Sequence, residues 1–134
     1  MSKVVTFSEA ASLAIHAMVM IAQSDHIINV NKIAESTGAS RNHLAKVMQR
    51  LVKDGLVKST RGPAGGFVMN KPLNEVTLLQ IYESIEGSID IAGCPFDRQI
   101  CPFHKCLMGG LIFKVTDEIK DYFKSQTLES FIKP

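Results

Sequence analysis

Apolar residues recur along this chain in two periods, and the alternation between them sketches the fold. From Phe7 to Ala22, Leu13, Ala14, Ala17, Met18 and Ile21 fall at helical spacing, with Ser8 placed to cap the start. Asn29 then caps a short helix carrying Ile33 and Ala34, which Gly38 ends. Ser40 opens a longer helix predicted to run to about Asp54, with Leu44, Val47, Leu51 and Val52 on its buried side and Gly55 as its stop. The period then changes: Leu56-Val57-Lys58-Ser59 reads as a strand, and Val68 and Met69 as its partner across a glycine-rich tip. Helical spacing returns after Pro72, first from Thr77 to Glu86 with Leu78, Ile81, Tyr82 and Ile85 on one side. A last helix is predicted from about Phe103 to Ser125, where Leu107, Leu111, Val115, Ile119 and Tyr122 trace one stripe.

Two helices joined by a glycine turn and followed by a hairpin predict a mainly α fold with a small β-hairpin wing, a winged helix-turn-helix. A long C-terminal helix completes it. That helix has a longer apolar stripe than a small domain needs, so a second copy of the chain is its expected cover and a homodimer the expected assembly. The predicted division is residues 1–87 as the DNA-binding domain, 88–106 as a cysteine-containing loop and 107–134 as dimerisation helix and tail. Gly109-Gly110 is costly inside a helix and would need a kink or a close helix contact to account for it.

Charge sharpens the picture. The net charge is only +2, yet residues 29–72 hold eight Lys and Arg against Glu35 and Asp54, and the remainder of the chain is acidic on balance. A basic segment on a helix-turn-helix pattern points to a polyanion, here double-stranded DNA. Ser40, Arg41, Asn42 and His43 open the second helix of the pair. Arg41 and Asn42 carry the donor and acceptor forks that match guanine and adenine edges, while Lys46, Arg50 and Lys53 can reach phosphates. In the hairpin tip Arg61 is the charged reader, and glycines such as Gly65 and Gly66 allow close approach to a phosphate backbone or minor groove. A nucleotide-binding loop is excluded by the missing Lys-Ser/Thr ending and the missing helix start. With no Cys-x-x-Cys and no acid-base constellation, an enzyme is not expected. The first residues lack a basic lead and a long apolar run, so a cytoplasmic protein with no membrane segment is expected.

The residues Ile33-Ala34-Glu35, Asn42-His43-Leu44-Ala45-Lys46-Val47, Gly55-Leu56-Val57, Arg61-Gly62-Pro63-Ala64-Gly65-Gly66-Phe67 and Ile85-Glu86-Gly87 resemble the Rrf-two family of bacterial winged-helix regulators. Its members include IscR, NsrR and CymR types. The resemblance implies a dimer on an inverted-repeat operator, with recognition helices in successive major grooves and wings on the flanking minor grooves.

Cys94, Cys101 and Cys106 resemble the triplet by which some members hold an iron-sulfur cluster of the 2Fe-2S or 4Fe-4S type, a task suited to soft, anionic thiolates. The IscR-type fourth ligand, a His three residues after the last Cys, is replaced here by Gly109. His16 matches a His ligand of some members, and Glu9 and His104 are the alternatives. Read by themselves, Cys94, Cys101, His104 and Cys106 also admit structural zinc, and the thiols admit metal-free redox sensing. A regulatory protein partner, as the CymR-type resemblance permits, is a further option.

Overall fold

Ser8, Asn29 and Ser40 each accept a hydrogen bond from the backbone N–H three residues on, at 3.1, 2.9 and 3.1 Å. Each such cap satisfies an N–H that the helix leaves open and contributes about 1 kcal/mol. The computed structural model describes residues 3–89 and 102–132, and these caps begin α1 (Glu9–Gln23), α2 (Val30–Thr37) and α3 (Arg41–Lys53). Next come β1 (Val57–Thr60) and β2 (Gly66–Met69), then α4 (Leu78–Glu86) and α5 (Leu111–Ser125), with single 3-10 turns at Leu73–Glu75 and Leu128–Phe131. Thr77 starts α4 through a capping box in which its hydroxyl accepts from Gln80 N–H and the Gln80 side chain accepts from Thr77 N–H.

The mainly α architecture with one antiparallel hairpin is the winged helix-turn-helix predicted from the sequence. β1 and β2 pair from Val57 opposite Met69 to Thr60 opposite Gly66, so β1 reaches one residue and β2 two residues further toward the tip than the sequence suggests. The reason is local: Gly65 N–H donates to Gly62 O at 2.9 Å, so the turn closes within residues 62–65 and Gly66 and Phe67 join the ladder. An isolated bridge from Ile28 to Phe67 ties the hairpin to the segment before α2.

Met18, Ile33, Leu44, Met48, Leu51, Ile81 and Leu128 are fully buried and form the centre of the core. On α3 the buried stripe is Leu44, Val47, Met48 and Leu51; Met48 takes the place predicted for Val52, which is half-buried. That is the i, i+3, i+4, i+7 set, and Val52 lies one residue round from it. On α4, Leu78, Ile81 and Ser84 are buried, whereas Tyr82 and Ile85 are half-buried at its edges.

The C-terminal helix is shorter than predicted. It begins at Leu111, because Gly109 and Gly110 adopt φ 62° and 72°, a left-handed conformation that no α-helix continues through. Residues 103–110 form turns instead, with Gly109 N–H bonded to Cys106 O at 3.0 Å and Leu111 N–H to Met108 O at 2.9 Å. The far end of α5 packs on its own domain. Phe123 is buried, its ring centroid 5.5 Å from that of Phe7 and 5.6 Å from that of Tyr82. Beyond it the chain runs beside the start of α4, Leu78 N–H donating to Gln126 O and Leu128 N–H to Val76 O at 3.0 and 2.9 Å. The near end is uncovered: Leu107, Leu111 and Phe113 are 69%, 57% and 48% exposed. Among the described residues no helix is long and apolar enough to cross a membrane.

Candidate nucleic-acid interface and cysteine turn

Burial of Leu44, Val47, Met48 and Leu51 fixes which side of α3 faces outward. Arg41, Asn42, Lys46, Arg50 and Lys53 are all exposed on the remaining face. Arg41 and Asn42 stand in the first turn and, with Val30, Ser40 and Ala45, line a shallow hollow between α2 and α3. Here the open N–H groups and the positive end of the helix dipole favour an anion, and the two side chains offer forks to base edges. The Ser40 hydroxyl is committed to its cap, accepting from His43 N–H. His43 is half-buried, its Nδ1 3.9 Å from Glu9 Oε1 on α1. Arg50 has a partner within the fold: its Nε donates to the Ser84 carbonyl at 2.9 Å.

Arg61 is exposed at the hairpin tip. The two glycines that follow are accounted for by the hairpin's own geometry. A Cβ on Gly65 would run into the Thr60 carbonyl oxygen, and one on Gly66 into the Ile28 carbonyl and, at 2.7 Å, into the Ile27 side chain. Both shape the wing that presents Arg61.

Arg41→Ala should weaken discrimination between a preferred duplex and scrambled DNA by about 1–3 kcal/mol, the value of a bidentate base contact. Fluorescence anisotropy with both duplexes measures this. Equal weakening on both would assign Arg41 to phosphate.

Cys106 is exposed in the turn before α5. The backbone N–H groups of Gly110, Met108 and Gly109 hold its thiol below the usual thiol range by stabilising the thiolate. Glu9 and His16 line one hollow, together with Ser12, Met20, Thr37, Tyr122 and Phe131. His16 is exposed, and its Nδ1 is 2.6 Å from Ser12 O. Cys106 does not line that hollow, and His104 is exposed in the turn preceding it. Among the described residues no three His, Cys, Asp or Glu side chains converge; Cys94 and Cys101 lie outside the described residues.

Residues 7–134 match the model of the Rrf2 family, described as an iron-dependent transcriptional regulator. The chain belongs to the Rrf2 family. It is 31% identical over 100 residues to the HTH-type transcriptional regulator IscR of Pectobacterium atrosepticum, an alignment covering 75% of this chain and 61% of that relative. The chain thus spans about three-fifths of the length of the IscR it matches. CymR of B. subtilis, the global cysteine regulator, superimposes with a TM-score of 0.78 at 23% identity, covering 95% of each chain. IscR of T. potens gives 0.73 at 24%, covering 96% of this chain and 86% of that one.

Within this Rrf2 chain, sequence reasoning missed two features of the candidate interface. One is the approach of Glu9 to His43, which no spacing along the sequence could reveal. The other is Ser84, and here a signal existed: a serine three residues after Ile81 sits on the core-facing stripe of α4, where a polar side chain needs a partner.

Proposed function

We propose that this Rrf2 protein is a homodimeric, DNA-binding transcription regulator that senses redox or iron-sulfur status through a cluster held by Cys94, Cys101 and Cys106. The DNA-binding half rests on the outward face of α3, with Arg41 and Asn42 at its capped start, Lys46 and Lys53 behind them, and Arg61 on the wing. The uncovered apolar residues Leu107, Leu111 and Phe113 supply a surface for the second copy. Two such copies would place two recognition helices on an inverted-repeat duplex.

The observation that carries the sensing half is the Cys106 turn, whose N–H groups favour an anionic sulfur. That environment fits a thiolate ligand, and the family model's description as iron-dependent agrees with it. A bound cluster supplies a redox-active, nitric-oxide- and oxygen-reactive iron centre on the loop preceding α5. The chain's own residues would hold it: the thiolates of Cys94, Cys101 and Cys106, and a fourth donor drawn from His16 or Glu9 on α1, or from His104. A second reading, thiol sensing without metal, is favoured by the likeness to the oxidized form of Staphylococcus aureus CymR, at a TM-score of 0.76.

Anaerobic purification of the wild type and of Cys101→Ser, with absorption spectra and iron, sulfide and zinc analysis, separates the readings. Visible absorption with iron and sulfide, lost in Cys101→Ser, is the expected result. A colourless, iron-free wild type that still dimerises and binds DNA would move the assignment to thiols, zinc or a protein partner.

A further inference from the structure

Ser84 is the buried polar side chain of the described core, 8% exposed on the inner face of α4. Its hydroxyl donates to Asp54 Oδ2 at 2.5 Å, while its carbonyl accepts from Arg50 Nε at 2.9 Å. Arg50 stands in the last turn of α3 and Asp54 is the C-cap of that helix. One residue of α4 therefore holds the foot of the helix whose opposite end carries Arg41 and Asn42. Its neighbour Glu83 accepts from Ile89 N–H at 3.0 Å, just before the segment that carries Cys94 and Cys101. Residues 83 and 84 thus grip the root of the cysteine segment and the foot of α3 side by side.

Apart from the 3.9 Å approach of His43 Nδ1 to the exposed Glu9 carboxylate, too long for a hydrogen bond, the rest of the α3 contact with the core is apolar, through Leu44, Val47, Met48 and Leu51. Apolar burial is non-directional and tolerates small rolls and slides of a helix. Hydrogen bonds weaken steeply with misalignment, and those to charged groups are the stronger kind. The orientation of α3 is accordingly set where the directional bonds are, at Ser84.

We propose that Arg50, Asp54 and Ser84 form a latch that fixes the orientation of α3 on α4, and that Arg50 is a positioning residue for DNA recognition instead of a phosphate contact. The inference rests on the DNA-binding reading given above. A phosphate contact and a positioning residue differ in what their loss changes. Losing the first lowers affinity for every sequence and flattens the dependence on salt. Losing the second misaligns Arg41 and Asn42 and lowers affinity only for the sequence they read.

The test uses the full chain, purified anaerobically, a duplex enriched from a random library by the wild type, and a mixed-sequence duplex of equal length. Affinities are measured by fluorescence anisotropy over a salt series for the wild type, Ser84→Ala, Arg50→Met and Asp54→Asn. Ser84→Ala and Arg50→Met should each weaken the enriched duplex by about fivefold or more, the scale of a coupling effect, with mixed-sequence affinity and salt slope unchanged. Asp54→Asn keeps an acceptor oxygen for the Ser84 hydroxyl and should bind close to the wild type. If Ser84→Ala does not fold, Arg50→Met carries the same comparison. Arg50→Met losing affinity equally on both duplexes, with the salt slope reduced by about one, overturns the latch and leaves the DNA-binding reading standing. A wild type that enriches no duplex overturns that reading and the latch together.

Discussion

Gly66→Ala should destabilise the wing and cost about 1–3 kcal/mol of folding free energy, the range for forcing atoms into a filled site. The Ile28 and Ile27 atoms that meet the new methyl group include backbone, which cannot rotate aside as a side chain would. Relief requires the hairpin to move away from the segment before α2, and two hydrogen bonds oppose that movement: Phe67 N–H to Ile28 O at 2.7 Å and Ile28 N–H to Phe67 O at 3.2 Å. Breaking both would add roughly 1 kcal/mol each. Arg61 rides on the same hairpin, so DNA affinity should fall with stability. Urea unfolding followed by circular dichroism measures the first effect and anisotropy the second. Unfolding at the wild-type midpoint would mean that the Ile28–Phe67 bridge is not part of the folded wing. Ala64→Gly, at an exposed position of the same tip, is the control and should change little.

The sequence and the fold agree on Gly65 and Gly66 as necessary residues, but for different physical reasons. Read in sequence, a glycine-rich tip suggests room for a nucleic-acid backbone. In three dimensions the room is taken by the protein's own backbone at Thr60 and Ile28. Capping residues were legible because their chemistry is local: Ser8, Asn29 and Ser40 each act on an N–H three residues away. The outward set on α3 was legible for the same reason, since helical periodicity alone separates Arg41, Asn42 and Lys46 from Leu44 and Val47. Contacts between distant segments were not. Arg50 and Ser84 are thirty-four residues apart, and nothing in the helical pattern of α3 distinguishes Arg50 from Lys46 or Lys53. The start of α5 was misread because the stripe from Leu107 to Tyr122 keeps helical spacing across Gly109-Gly110, and periodicity does not weigh backbone conformation.

Leu128→Ala should have the largest effect on stability, about 2–5 kcal/mol, because it removes a fully buried side chain and leaves a cavity where the Leu128–Phe131 turn packs on α1 and on the Leu73–Glu75 turn. Sequence periodicity gives this residue no role, as it lies past the last helix in a 3-10 turn. Its weight comes from topology. The bonds from Leu78 N–H to Gln126 O and from Leu128 N–H to Val76 O lay the tail beside the start of α4, and the buried leucine holds it there. Phe123, on the last turns of α5, is the other apolar anchor of this end. If the tail is released, α5 keeps only one of its two attachments to the domain, while its near end still carries the exposed Leu111 and Phe113 offered to a second copy. Dimer formation should then weaken together with folding, since the helix that presents the interface is no longer fixed relative to α3. Denaturant unfolding and sedimentation of Leu128→Ala over a concentration series measure the two effects. A shifted urea midpoint with an unchanged slope is expected for loss of stability alone. Leu111→Ala, at an exposed position, should leave the urea midpoint of the monomer unchanged and affect only association. An unfolding free energy for Leu128→Ala within about 0.5 kcal/mol of the wild type, the range of ordinary surface substitutions, would mean that the tail is not anchored in the core.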